Sequence, residues 1–192
     1  MSKTTREKIL DTSLSMFNAL GERQVTTNHI ADELGISAGN LYYHFKNKDS
    51  IVAQLFAQFE TCMDDALARR KRPLTLEDVE LQLQRVFECM WTYRFLYRDL
   101  VDILSRNRKL RQRFARLLDR VEDSTTAALR GLADAKILSA TKDEMQAIAE
   151  NVVLATTFWF NYHIVRNSKA ELTQADVAKG VRHVMRLMAT GG

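Results

Sequence analysis

The stretch Thr26 to Ser50 reads TTNHIADELGISAGNLYYHFKNKDS, and its spacing decides the fold. Thr26 and Thr27 offer hydroxyls to cap a short helix carrying Ile30, Ala31 and Leu34. Gly35 ends that helix by taking the left-handed backbone that residues with a Cβ avoid. Ser37 caps a second short helix with Leu41 and Phe45, and Asn47 caps a third that runs through Ile51, Leu55, Phe59 and Met63. Two short helices meeting at a glycine turn predict a helix-turn-helix, with small Ala31 at the crossing and Ile30, Leu34, Ile36 and Leu41 as its miniature core.

The outward side of the second helix carries residues that a solvated face does not call for: Ala38, Gly39, Asn40, Tyr42, Tyr43 and His44, followed by Lys46 and Lys48. Glycine and asparagine weaken a helix. In a major groove they have a use: small Ala38 and Gly39 let the backbone approach base edges, and Asn40 hydrogen-bonds a base edge or a phosphate. The tyrosine hydroxyls, His44 and Lys48 at the start of the next helix suit phosphate. Tyr42 and Phe45 are open to a second reading, as core, and His29 reads as packed or solvated. Residues 1–48 hold six Lys/Arg against five Asp/Glu, so positive charge must be arranged, chiefly as Lys3, Arg6, Lys46 and Lys48, to meet a polyanion.

Outward from this segment, Leu10, Leu14 and Phe17 mark a preceding helix from Thr4 to Leu20, closed by Gly21. The chain of 192 residues is 46% hydrophobic and 27% charged with one proline and seven glycines, which argues for a globular and mainly helical protein. The run Arg69 to Pro73 is a charged break, and the domain boundary is expected there. The predicted architecture is all-α: a helix-turn-helix unit over 1–48, its fourth helix continuing to about 72 as connector, and a helical domain over 73–192. In that second part, capping boxes at Thr141 with Glu144 and at Thr173 with Asp176 open the last two helices.

The segment from Thr26 to Ser50 resembles the DNA-binding domain of the tetracycline-repressor (TetR) family of bacterial regulators, LYYHFKNKDS being its most diagnostic part. The resemblance implies that Thr27, Asn28, Ala38, Gly39, Asn40, Tyr42, Tyr43, His44 and Lys48 fall on DNA-contacting positions. Ala38 stands where the family often has a larger or polar residue, which favours a thymine-methyl contact there. The resemblance also implies a homodimer on a nearly palindromic double-stranded DNA operator, with a small-molecule inducer bound in the carboxy-terminal half. Repression relieved by the inducer is the default expectation; activation, or repression that needs a corepressor, stays open.

The last two helices carry apolar residues on several sides, and such helices are buried on several sides. Val152, Ala155, Val177, Val181, Val184 and Met188 are the expected dimer interface, the alternative being burial within one protomer. Trp91, Phe114, Phe158, Trp159 and Tyr162 are the first candidates to line a ligand pocket, against the commoner use of aromatics as core. Seven basic residues and one acidic residue between Arg106 and Arg120 read as a solvated face, or as one that attracts an anion. No nucleophile elbow, phosphate loop or metal spacing is found, so neither catalysis, a metal nor a cofactor is expected. Cys62 and Cys89 lack the close spacing of a zinc or redox motif, no apolar leader opens the chain, and no run is long enough to span a bilayer; the expected compartment is the cytoplasm.

Overall fold

A computed structural model describes residues 3–68, 74–166 and 172–189. The helices among them are α1 (Thr5–Leu20), α2 (Thr27–Leu34), α3 (Ala38–His44), α4 (Lys48–Leu67), α5 (Leu76–Thr92), α6 (Phe95–Arg98), α7 (Leu100–Arg106), α8 (Arg108–Asp134), α9 (Lys142–Arg166) and α10 (Gln174–Ala189), with a 3₁₀ turn at Glu22–Gln24. No strand occurs among the described residues. The break expected at Arg69 to Pro73 lies outside them.

Local chemistry sets the amino-terminal boundaries. Thr4, Thr26, Ser37 and Asn47 each cap the following helix by accepting from a backbone N–H three residues on. Gly35 ends α2 at φ +63°, a conformation strained for any residue with a Cβ. Ile9, Leu10, Phe17, Val25, Ile30, Ala31, Leu41 and Phe45 then pack inward with Ile51, Val52 and Leu55 from α4. The second half of α4 leaves this small core and packs on α5 and α8.

The carboxy-terminal bundle pairs α8 with α9, α9 with α10, and α10 with α5. Its centre is aromatic: Phe87, Tyr97, Phe114 and Phe160 meet ring to ring, and Phe56 and Phe59 of α4 join the same cluster. The α10–α5 approach is close enough that a Cβ at Gly180 would overlap the ring of Phe87, which is fully buried. No helix among the described residues is long and apolar enough to cross a membrane.

Gly180→Ala sets better helix propensity, worth up to about 1 kcal/mol, against an overpacking cost of about 1–3 kcal/mol. With no room for Phe87 to retreat the second effect prevails, and thermal unfolding followed by circular dichroism should give a lower Tm for the variant.

Candidate nucleic-acid interface

The second helix of the turn motif presents an uncommitted face. Leu41 and Phe45 turn inward, whereas Ala38, Gly39, Asn40, Tyr42 and Tyr43 are exposed, Tyr43 at 85%. The Tyr43 ring stands nearly perpendicular to that of His44, which is half-buried. The Tyr42 hydroxyl lies 3.2 Å from that of Thr27, so Tyr42 ties α3 to α2 while keeping an exposed edge. Asn28 is exposed beside it. Phe45 is core, with the Arg6 guanidinium over its outer side at 4.9 Å. His29 is part of the α2 cap: its Nδ1 accepts from the N–H of Thr26.

Gly39 is informative because the protein itself does not require it. Its φ is not positive, and an added Cβ would meet nothing nearer than the Ser37 hydroxyl at 3.9 Å. A helical glycine costs about 1 kcal/mol relative to alanine. That cost has no return in the contacts around Gly39, and it falls near the start of the exposed face of α3, where close approach of another backbone or base edge would need it.

Lys48 corrects the sequence reading. Its ammonium donates to the carbonyls of Glu22 (2.8 Å) and Val25 (3.0 Å) and pairs with the Glu22 carboxylate at 3.1 Å, instead of facing outward toward phosphate. The physical reason is Glu22, whose side chain is 1% exposed: a carboxylate stripped of water needs cations around it. Arg106 supplies the second, at 2.7 Å, and also meets Asp102 (3.1 Å) and Asp49 (3.6 Å). Burial opposes its charge, but the three carboxylates outweigh burial and raise the Arg106 pKa. Lys3 is also engaged, with Asp11, and Lys46 remains as an exposed cation beside α3.

Glu22 escaped the sequence reading, and Arg106 entered it only as part of a basic face, although the pair joins the turn motif to the bundle. Asn18 does the same from α1: its amide donates to Thr92 O (2.8 Å) and accepts from Phe95 N–H (3.0 Å), bridging the break between α5 and α6. The Asp99 carboxylate accepts from the N–H of Glu22. In sequence, only the polarity of Asn18 and Glu22 beside Gly21 hinted at this.

The expected pocket and dimer residues take other places than the sequence reading gave them. Val152, Val177, Val181, Val184 and Met188 are buried inside the protomer and Ala155 is half-buried, so the apolar residues of these helices mainly close the bundle core. Phe158 and Tyr162, expected to line a pocket, lie exposed with Leu154 and Val165 in one row along α9. Trp159 is buried and its indole N–H donates to Asp176 O at 2.8 Å; Phe114 is buried against Phe56 and Tyr97; Trp91 stacks between Phe160 and Arg94. None of these five lines the central cavity, which measures about 30 Å³ and lies between α4, α5, α8, α9 and α10. Its polar groups are Gln82, Ser124, Thr125 and Thr156. On α8, Arg113 and Arg120 are drawn to Glu60 and Asp64 of α4, leaving Arg108, Lys109, Arg111 and Arg116 as an exposed basic face.

A capped helix-turn-helix on a helical bundle defines a DNA-binding regulator, and comparison with known proteins gives the family. Residues 9–55 match the family described as bacterial regulatory proteins, tetR family, and residues 58–190 match the TetR family described as bacterial transcriptional repressor. The chain belongs to the TetR family of bacterial transcriptional regulators. It is 39% identical to a TetR-family transcriptional regulator from Marinobacter aquaeolei of known structure, with a TM-score of 0.88 over 98% of this chain and 91% of that one. It is 31% identical over 88 residues to the HTH-type transcriptional regulator BetI of Cronobacter sakazakii, 46% of this chain and 44% of the relative. It is 38% identical over 55 residues to the class C tetracycline repressor protein of Escherichia coli, 29% of this chain and 25% of that protein. The chain thus spans less than half the length of these two relatives.

Lys48→Ala tests the reassignment. Loss of one cation from a buried carboxylate should lower stability by about 1–3 kcal/mol in denaturant unfolding, and Glu22→Gln in the same background should recover part of it. A free phosphate-binding lysine would leave stability unchanged.

Proposed function

We infer that the protein represses transcription as a homodimer that lays α3 of each chain in successive major grooves of a nearly palindromic operator. It releases the operator when a small molecule opens the cavity between α4, α5 and α8. The half-site centres then lie roughly 34–36 Å apart along the duplex. The observation that carries this reading is Gly39, a costly helical glycine on an exposed face with no internal reason to be there. Asn40 is the candidate for base readout, Ala38 for a methyl contact, and Thr27, Asn28, Tyr43, His44 and Lys46 for the backbone on either side. Lys48 acts indirectly, by holding the 3₁₀ turn against α4.

The dimer contact is assigned to the outer row Leu154, Phe158, Tyr162 and Val165. Four large side chains at helical spacing form an apolar stripe whose burial a second copy, related by a two-fold axis, would supply. A cavity of about 30 Å³ takes little more than one or two waters, so a ligand must displace α4 from α5 and α8 to enter. Because α4 also carries part of the turn motif's core, that displacement is a route from ligand to DNA.

Gly39→Ala separates folding from recognition: Tm should rise, by up to about 1 kcal/mol of added stability, while affinity for duplexes selected by the native protein falls. Fluorescence anisotropy alongside thermal melts reads both, and unchanged affinity would sink the groove assignment. Leu154→Glu should leave the protomer folded but shift it from dimer to monomer in sedimentation; a dimer that persists would move the interface elsewhere.

A further inference from the structure

The two cysteines that the sequence left without a role form a disulfide. Cys62 of α4 and Cys89 of α5, separated by 27 positions, are bonded across the helix pair. The bond is reachable: Cys89 is buried but Cys62 is half-buried, and both line an open depression of about 370 Å³ together with Asp65, Arg85 and Glu88. A regulator that works on bacterial DNA, the reading on which this inference rests, works where thiol pools keep ordinary cysteines reduced. Disulfides found in that setting are mostly transient and redox-sensing.

We propose that Cys62 and Cys89 form a reversible redox site, oxidised by small hydroperoxides and reduced by low-molecular-weight thiols, which pins α4 to α5 in its oxidised form. Oxidation starts from the dithiol. The Cys62 thiolate, the more accessible of the two, attacks a peroxide oxygen; the O–O bond breaks, the alcohol leaves with a proton, and Cys62 becomes a sulfenic acid. The Cys89 sulfur attacks the sulfenic sulfur, the S–S bond forms, and hydroxide leaves as water with the Cys89 proton. The sum is one hydroperoxide and two thiols giving one alcohol, one water and one disulfide. Reduction runs by exchange: one small thiolate opens the bond to a mixed disulfide, and a second thiol releases the small disulfide and restores both cysteines. One guanidinium and two carboxylates surround the site, so its reactivity rests on access to Cys62 more than on a strongly acidified thiol.

The location gives the bond its effect. The first turns of α4 belong to the turn motif's core through Ile51, Val52 and Leu55, and Leu67 at its other end lines the central cavity. Opening that cavity requires α4 to move away from α5, and the sulfur bridge opposes the movement. The oxidised protein is therefore held in the closed-cavity arrangement, and the reduced protein is free to leave it.

The test uses the full chain and a duplex chosen by the native protein from a random-sequence library, so failure to select any duplex sinks the DNA reading and not this one. Protein is treated with dithiothreitol or with cumene hydroperoxide, thiols are counted by alkylation and mass spectrometry, and affinity is measured in each state. Millimolar glutathione should expose both thiols, hydroperoxide should close them within the monomer, and the oxidised form should bind the duplex about tenfold more tightly, a coupling of ordinary size. Cys62→Ser, at the half-buried position, should give the reduced-state affinity in both buffers. Resistance of the disulfide to glutathione, or equal affinities of the two forms, overturns the proposal.

Discussion

A carboxylate buried where the reading head meets the bundle is the constraint on which the rest of the molecule depends. Glu22 has almost no water left, so it is held only because Lys48 reaches it from α4 and Arg106 from α7. Removing either leaves a buried carboxylate with one of its two cations gone and its desolvation only partly offset. The 3₁₀ turn, the start of α4 and the end of α7 are thereby fixed to one point, and α3 inherits its orientation from them through the short core around Leu41 and Phe45. The bidentate amide of Asn18 makes a second fixed point at the α5–α6 break. These two polar joints add to the apolar contacts that couple the DNA-binding end to the bundle, Phe17 against Phe95 and Phe56 and Phe59 of α4 within the aromatic cluster.

What was legible in the sequence is what local chemistry decides. Thr26, Ser37, Asn47 and Gly35 announce helix ends through groups within three residues of themselves, and the structure places the boundaries there. The exposed face of α3 follows, because Leu41 and Phe45 fix which side turns inward. Lys48 was misread because its partner is a carboxylate 26 residues earlier, and nothing in a run of ten residues says that Glu22 will be buried. The disulfide is hidden for the same reason: 27 residues separate sulfurs that only the α4–α5 packing brings together.

Helix α9 illustrates a different limit. It is apolar nearly all round, so no stripe says which side faces the protomer and which is left over. Burial then depends on neighbours: α8 and α10 pack along α9, Phe87 and Trp91 of α5 and Tyr97 of α6 enclose Phe160, and the row from Leu154 to Val165 stays outside. Aromatic residues were likewise ambiguous between wall and filling. Phe114 and Trp159 turned out to be filling, since each has rings against it and the indole nitrogen already has its acceptor.

That indole has an optical consequence. Trp159 lies with its ring 4.5 Å from His163 and 5.2 Å from His183, donates across to the first turn of α10, and stands one residue from the outer row of α9. Only one other tryptophan exists in the chain, Trp91, under a guanidinium at the far end of α5. Emission from position 159 is thus a built-in gauge of how tightly the last two helices sit together, readable without attaching a dye to the protein.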